Sequence, residues 1–167
     1  VLLRHGPLML GAPRQQHPRP RAPRRAPPRP SSAPWVPASP APRPVPARLE
    51  LLRSHSGLPG PRANLTLLDA AADLADPVFV TALVAADEEY LTACGAAGLG
   101  ELAARDGDVR WRRALHELAR DARWRVREGV AMALHRLGDA DLADGGRRLA
   151  DLAREWSAEP DPSVQRA

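Results

Sequence analysis

The chain has 167 residues, room for one domain of ordinary size and a long tail. All 24 basic residues are arginine and the formal charge of +4 is unevenly placed: residues 1–62 hold eleven arginines against Glu50 alone, and residues 63–167 hold thirteen against nineteen acids. The lone Cys94 excludes an intrachain disulfide framework and a cysteine-rich zinc site, and no run of about 18 apolar residues is present to form a membrane-spanning helix.

The opening VLLRHGPLMLGAP is broken by Arg4, His5, Gly6 and Pro7 before an apolar signal-peptide segment can form. Thirteen prolines between Pro13 and Pro46 prevent the amphipathic helix of a transit peptide. Residues 1–48 are therefore assigned as a disordered Pro/Arg-rich tail of polyproline II character, which has nothing to bury against its chain entropy. Three PxxP spacings (Pro20–Pro23, Pro27–Pro30, Pro34–Pro37) arise by chance in so proline-dense a stretch. The absence of an initiator methionine at Val1 raises the expectation that the tail is translated upstream sequence and that the native protein begins nearer Val45.

Order is predicted from about Ala47, with Leu49, Leu51 and Leu52 ahead of the turn cluster Gly57, Pro59, Gly60, Pro61. Asn64 is the expected N-cap of the helix LTLLDAAADLA, and Asp76-Pro77 separates it from the next. Everything after that reads as helix. The clearest stripe lies in Asp121–Asp139, where Val126, Val130, Ala133, Leu134 and Leu137 share one helical face. That stretch is expected to organise the remainder of the domain, residues 49–167.

The stretch has relatives in the chain. At an offset of 35, Leu91, Gly95, Gly98, Leu99 and Leu102 fall on Val126, Val130, Ala133, Leu134 and Leu137, and the preceding Phe79, Val80 and Leu83 fall on Ala114, Leu115 and Leu118. At an offset of 38, Leu152, Ala153 and Trp156 match Ala114, Leu115 and Leu118, and Val164 matches Val126, with the extra residues placed in the DADLADGG linker. Two helices per 35–38 residues predict an all-α fold, an α-solenoid of helix pairs in which each pair buries its apolar face on the next. Gly95 and Gly98 each cost about 1 kcal/mol inside a helix relative to alanine, so close helix packing is expected there.

The second helices resemble bacterial HEAT repeats of the phycobilisome-lyase-like type, through the D-x-x-V-x-x-A form of Asp161, Val164 and Ala167 and through Val126, Arg127, Ala131, Ala133, Leu134, Leu137 and Gly138. The likeness covers about residues 64–167. Thr92 departs from it by standing where Arg127 stands, and the third copy stops a turn into its second helix, so the chain is expected to be a fragment. The resemblance implies a binding scaffold of armadillo-like fold. A lyase-like or chaperone subunit would also need a chromophore-bearing partner, for which the residues give no sign.

No Walker loop, dinucleotide-binding glycine fingerprint, GxSxG or HExxH spacing occurs, and the five histidines are scattered. No catalytic residue, metal ligand, cofactor or small-molecule substrate is therefore expected. Cys94, among small residues, reads as a buried hydrophobe. The expected function is a non-enzymatic, cytoplasmic scaffold that holds an unidentified protein partner on its concave face, through Arg125, Arg127, Glu128, His135 and Glu89. Changing Arg125 and Arg127 together is expected to weaken capture without altering helical content. The alternative is a nucleic-acid binder that uses Trp111, Arg112, Arg113, Trp124 and Arg125 for phosphate contact and stacking, as the architecturally similar alkylpurine glycosylases imply. Against it, Trp111 is expected to pack between repeats and Arg127 to pair with Asp121.

Overall fold

The computed structural model describes residues 43–143 and 147–166, so most of the proposed tail, with its PxxP spacings, lies outside the described residues. Among the described residues all regular structure is α-helical: α1 (Val45–Ser54), α2 (Leu65–Asp73), α3 (Pro77–Ala85), α4 (Glu89–Asp106), α5 (Val109–Leu118), α6 (Trp124–Ala143), α7 (Arg148–Ser157) and α8 (Pro162–Gln165). Helix starts at Val45, slightly ahead of the boundary read from composition, because proline is tolerated in a first turn whose N–H groups have no intrahelical acceptor.

Local chemistry accounts for the helix starts. Asn64 accepts from the Leu67 N–H at 3.1 Å and donates its amide to the His55 carbonyl, so one side chain both caps α2 and holds the preceding loop. Asp76 accepts from the Phe79 N–H at 2.8 Å ahead of Pro77, and Asp161 does the same for Ser163 ahead of Pro162. Asp108 caps α5, one residue after Gly107 ends α4 in the left-handed region (φ +69°).

Two apolar clusters form the core. Leu52, Leu68, Phe79, Leu83 and Leu91 gather α1 to α4, while Leu102, Leu115, Val130, Leu137, Leu152 and Val164 gather α4 to α8. Each fully buried aliphatic side chain of this kind contributes about 1.5–3 kcal/mol. α3 supplies residues to both clusters, Phe79 and Leu83 to the first and Val80 to the second, but the element most deeply shared is α4, in which every residue from Tyr90 to Gly100 is buried. It packs against α1, α2, α3, α5 and, most extensively, α6. The run of Ala, Gly and Cys in α4 explains this, because small side chains allow approach from all sides.

The organising helix is therefore α4 and not Asp121–Asp139, whose single stripe becomes α6 packed along one flank of α4. The expected close packing is present: a Cβ at Gly95 would lie 2.7 Å from Val84 Cγ2, and one at Gly98 would lie 2.8 Å from Val80 Cγ2. The tightest approach, unforeseen from sequence, is between α4 and α6, where a Cβ on Gly100 would overlap the Ala133 backbone and one on Gly129 the Ala93 carbonyl.

The helix pairs α3/α4, α5/α6 and α7/α8 fall where the offsets of 35 and 38 predict, with one correction. On α7 the buried residues are Leu152 and Trp156, and Ala153 is exposed. By burial they match Leu115 and Ala119 at an offset of 37, whereas Val164 and Val126 remain at 38. One extra residue thus sits in the α7–α8 turn. The DADLADGG linker is also shorter than expected, since α6 continues through Ala143.

Candidate functional site

Successive faces of α6 have different neighbours. Val126, Val130, Ala133 and Leu137 enter the core. Beside them Gly129 meets Ala93 of α4, Met132 packs on the first cluster, and Arg136 reaches across α4 to α2, where it meets Asp69, Asp73 (2.8 Å) and, from α4 itself, Glu101 (3.3 Å). Arg125 makes a similar link to the Pro61 carbonyl. These bonds tie α6 over α4 to the N-terminal helices.

The opposite side of α6 stays open. Ala131, His135, Asp139 and Leu142 are exposed, Leu142 to 77%. Between this side and α7–α8 lies a groove of about 410 Å³ walled by Ala131, Leu134, Leu149, Leu152, Ala153 and Val164. A second groove of about 490 Å³ continues past His135 toward Gly138 and Leu142 and shares Leu149 and Ala153 with the first. The surface is mainly apolar, with Trp156, Ser157 and Gln165 also lining the first groove and His135 and Asp139, 3.2 Å apart, at the rim. Such a concave apolar strip can seat a helix or an extended aliphatic segment.

The sequence-predicted partner residues do not form one patch. Arg125 and Glu128 come together at 3.2 Å, with the Arg125 guanidinium also 4.1 Å from the centre of the Trp124 ring. Arg127 is half-buried and donates to the backbone carbonyls of Asp121 and Ala122. The expected carboxylate pairing with Asp121 belongs instead to Arg123, at 2.7 Å, which is close enough in sequence to form a fork with it. That fork holds the Asp121 carboxyl below the usual carboxylate range. His135 lines both apolar grooves, while Glu89 opens α4 in a separate small recess beside Arg53 and Tyr90.

The nucleic-acid set is divided too. Trp111 is buried and donates its indole N–H to the Asp106 carboxylate at 3.0 Å, so it packs as a structural side chain and offers no face to a base. Trp124 is 53% exposed. Arg112 and Arg113 line a different groove, between α5 and α7.

Sequence reasoning missed the bond network that docks α7–α8 on α5. His116 lies 3.1 Å from Glu159 and edge-on to Trp156, and Arg120 bridges Glu159 and Asp161. Partners about forty residues apart leave no local pattern to read. The groove did leave one, in Leu142, which is apolar but off the core stripe, whereas Ala153 was expected on that stripe. Cys94 is buried, and burial pushes its thiol up to about 12. Comparison with known proteins finds no match: no family model, no curated protein and no solved structure aligns with this chain.

Proposed function

We propose that this chain is a non-enzymatic helical-repeat scaffold, a HEAT-like solenoid segment that holds a protein partner against the open side of α6. One observation carries the reading: the aliphatic groove between α6 and α7–α8 leaves Ala131, Ala153 and Leu142 exposed on a rigid helical frame. The succession of helix pairs supports the solenoid assignment, because each pair buries its apolar face on the next. A buried, unpaired thiol agrees with residence in a reducing compartment such as the cytoplasm. Partner contact then lies on α6 and α7, with His135 at the groove's margin and the arginines of α6 serving the fold.

The test is photo-crosslinking in native lysate with a benzophenone side chain at His135, which is exposed within the groove. A discrete protein adduct is expected to persist after nuclease treatment and to disappear in the double variant A131R/A153R, both sites being exposed, with far-UV circular dichroism unchanged. An adduct of undiminished yield in that variant removes the groove from the binding site.

A further inference from the structure

Six arginines of the described residues are half-buried: Arg48, Arg112, Arg123, Arg125, Arg127 and Arg136. Five of them meet acceptors within the chain: Arg48 has Asp76 at 2.8 Å, Arg123 has Asp121 at 2.7 Å, Arg125 has Glu128 at 3.2 Å, Arg136 has Asp73 at 2.8 Å, and Arg127 has two backbone carbonyls. Arg112 meets none: its Nε is shut off from solvent without a partner, as are those of Arg48 and Arg136, but unlike theirs the rest of its guanidinium also has no acceptor among the described residues. A partly desolvated guanidinium without a counter-charge is costly, and an incoming anion offsets that cost.

The position of Arg112 gives such an anion room. It lines a groove of about 370 Å³ between α5 and α7, beside the exposed and equally unpaired Arg113. The His116 ring on the same wall already meets Glu159 at 3.1 Å, so it does not compete for the ligand. Leu152 and Trp156 supply apolar floor, and Glu117 and Glu155 stand on the same walls as the arginines. Two cations against two carboxylates leave no net positive charge. A group carrying one negative charge is therefore favoured over a phosphate dianion, which the two glutamates would repel.

The geometry points to the α5–α7 groove as an acceptor site for a single carboxylate, the Asp or Glu side chain of a bound protein, held by the forks of Arg112 and Arg113. This rests on the partner-binding reading for what carries the carboxylate. The site itself is open to test without any partner.

The experiment is an NMR titration of the full chain with N-acetyl-glutamate amide, following the side-chain Nε–H signals of Arg112 and Arg113 and the indole N–H of Trp156. Saturable shifts confined to those signals are expected, absent with the uncharged N-acetyl-glutamine amide and weakened roughly tenfold or more in R112Q or R113Q, the change expected for one lost charge-assisted bond. Arg113 is exposed, so R113Q reports on the site even if R112Q unsettles α5. Shifts spread evenly over all arginines, equal shifts with the glutamine compound, or tighter binding of inorganic phosphate at the same signals would each overturn the assignment. Loss of the His135 crosslink with these shifts intact would fault the scaffold reading and leave the carboxylate site standing.

Discussion

Single residues set how closely α4 and α6 approach. Gly129 lies against the Ala93 carbonyl, so a methyl group there has no space to enter without moving backbone. G129A is expected to cost about 1–3 kcal/mol by overpacking. At Gly138, on the same helix, the nearest atom is the flexible Leu149 Cδ2 at 2.8 Å, and G138A should fall within about 1 kcal/mol of neutral, since alanine's helix preference offsets the shift. Urea denaturation of the two variants compares them directly. Asp121 gives a pH dependence. Its folded-state carboxyl titrates below the unfolded value because Arg123 donates to it, so its contribution is present above about pH 4 and is lost as pH falls through the folded-state value. D121N should be less stable than the parent at neutral pH and should lose less stability on acidification, as measured by chemical denaturation at a series of pH values. Equal stability and equal pH dependence in the two proteins would mean that Asp121 serves only as a spacer in the turn.

At the scale of elements, α7 is held by Leu152 and Trp156 below, by the Asp141 carboxylate that accepts from the Leu149 N–H at 3.0 Å, and by the His116–Glu159–Arg120 network at its end. W156A removes the larger apolar anchor and the aromatic partner of His116, a loss of about 3–5 kcal/mol for a large buried side chain. Hydrogen exchange should speed up across α7 and α8 and stay slow across α2 and the first turns of α4, which pack in the first cluster. Uniform acceleration throughout the chain would mean that the helix pairs do not open separately. The arginines of α6 fit the same picture. Arg127 satisfies carbonyls in the α5–α6 turn and Arg125 anchors α6 to the Pro61 loop, which gives both a part in holding the fold besides any part in binding.

For the molecule as a whole, charge is divided along the chain. The first 42 residues carry seven arginines and no acid, whereas residues 43–167 carry seventeen arginines and all twenty acids. Most of the partly buried arginines in the helical part are committed to internal carboxylates or carbonyls. Any affinity of the intact chain for single-stranded DNA is therefore expected to fall steeply with salt and to vanish when residues 1–42 are removed. Fluorescence anisotropy with a labelled oligonucleotide reads both effects. Binding that survives the deletion would return weight to Trp124 and the arginines beside it.

Sequence alone determined the helices and their pairing. Caps such as Asn64, Asp76 and Asp161 act through bonds spanning two or three residues, and apolar periodicity is a local property, so both can be read without knowing what packs on what. The 35-residue offset likewise located the second helices, and the helical cost of glycine flagged Gly95 and Gly98 as close contacts. Only tertiary structure decided which helix is central, because the Ala/Gly/Cys run of α4 has no strong stripe and becomes buried through the approach of neighbours from several sides. It also decided the sites. For Arg48, Arg136 and His116 the carboxylates Asp76, Asp69 and Glu159 stand tens of residues away, and no local spacing encodes that, whereas Arg123 and Arg125 meet carboxylates two or three residues off. Arg112, by contrast, stands out only because its half-buried counterparts have found partners and it has not.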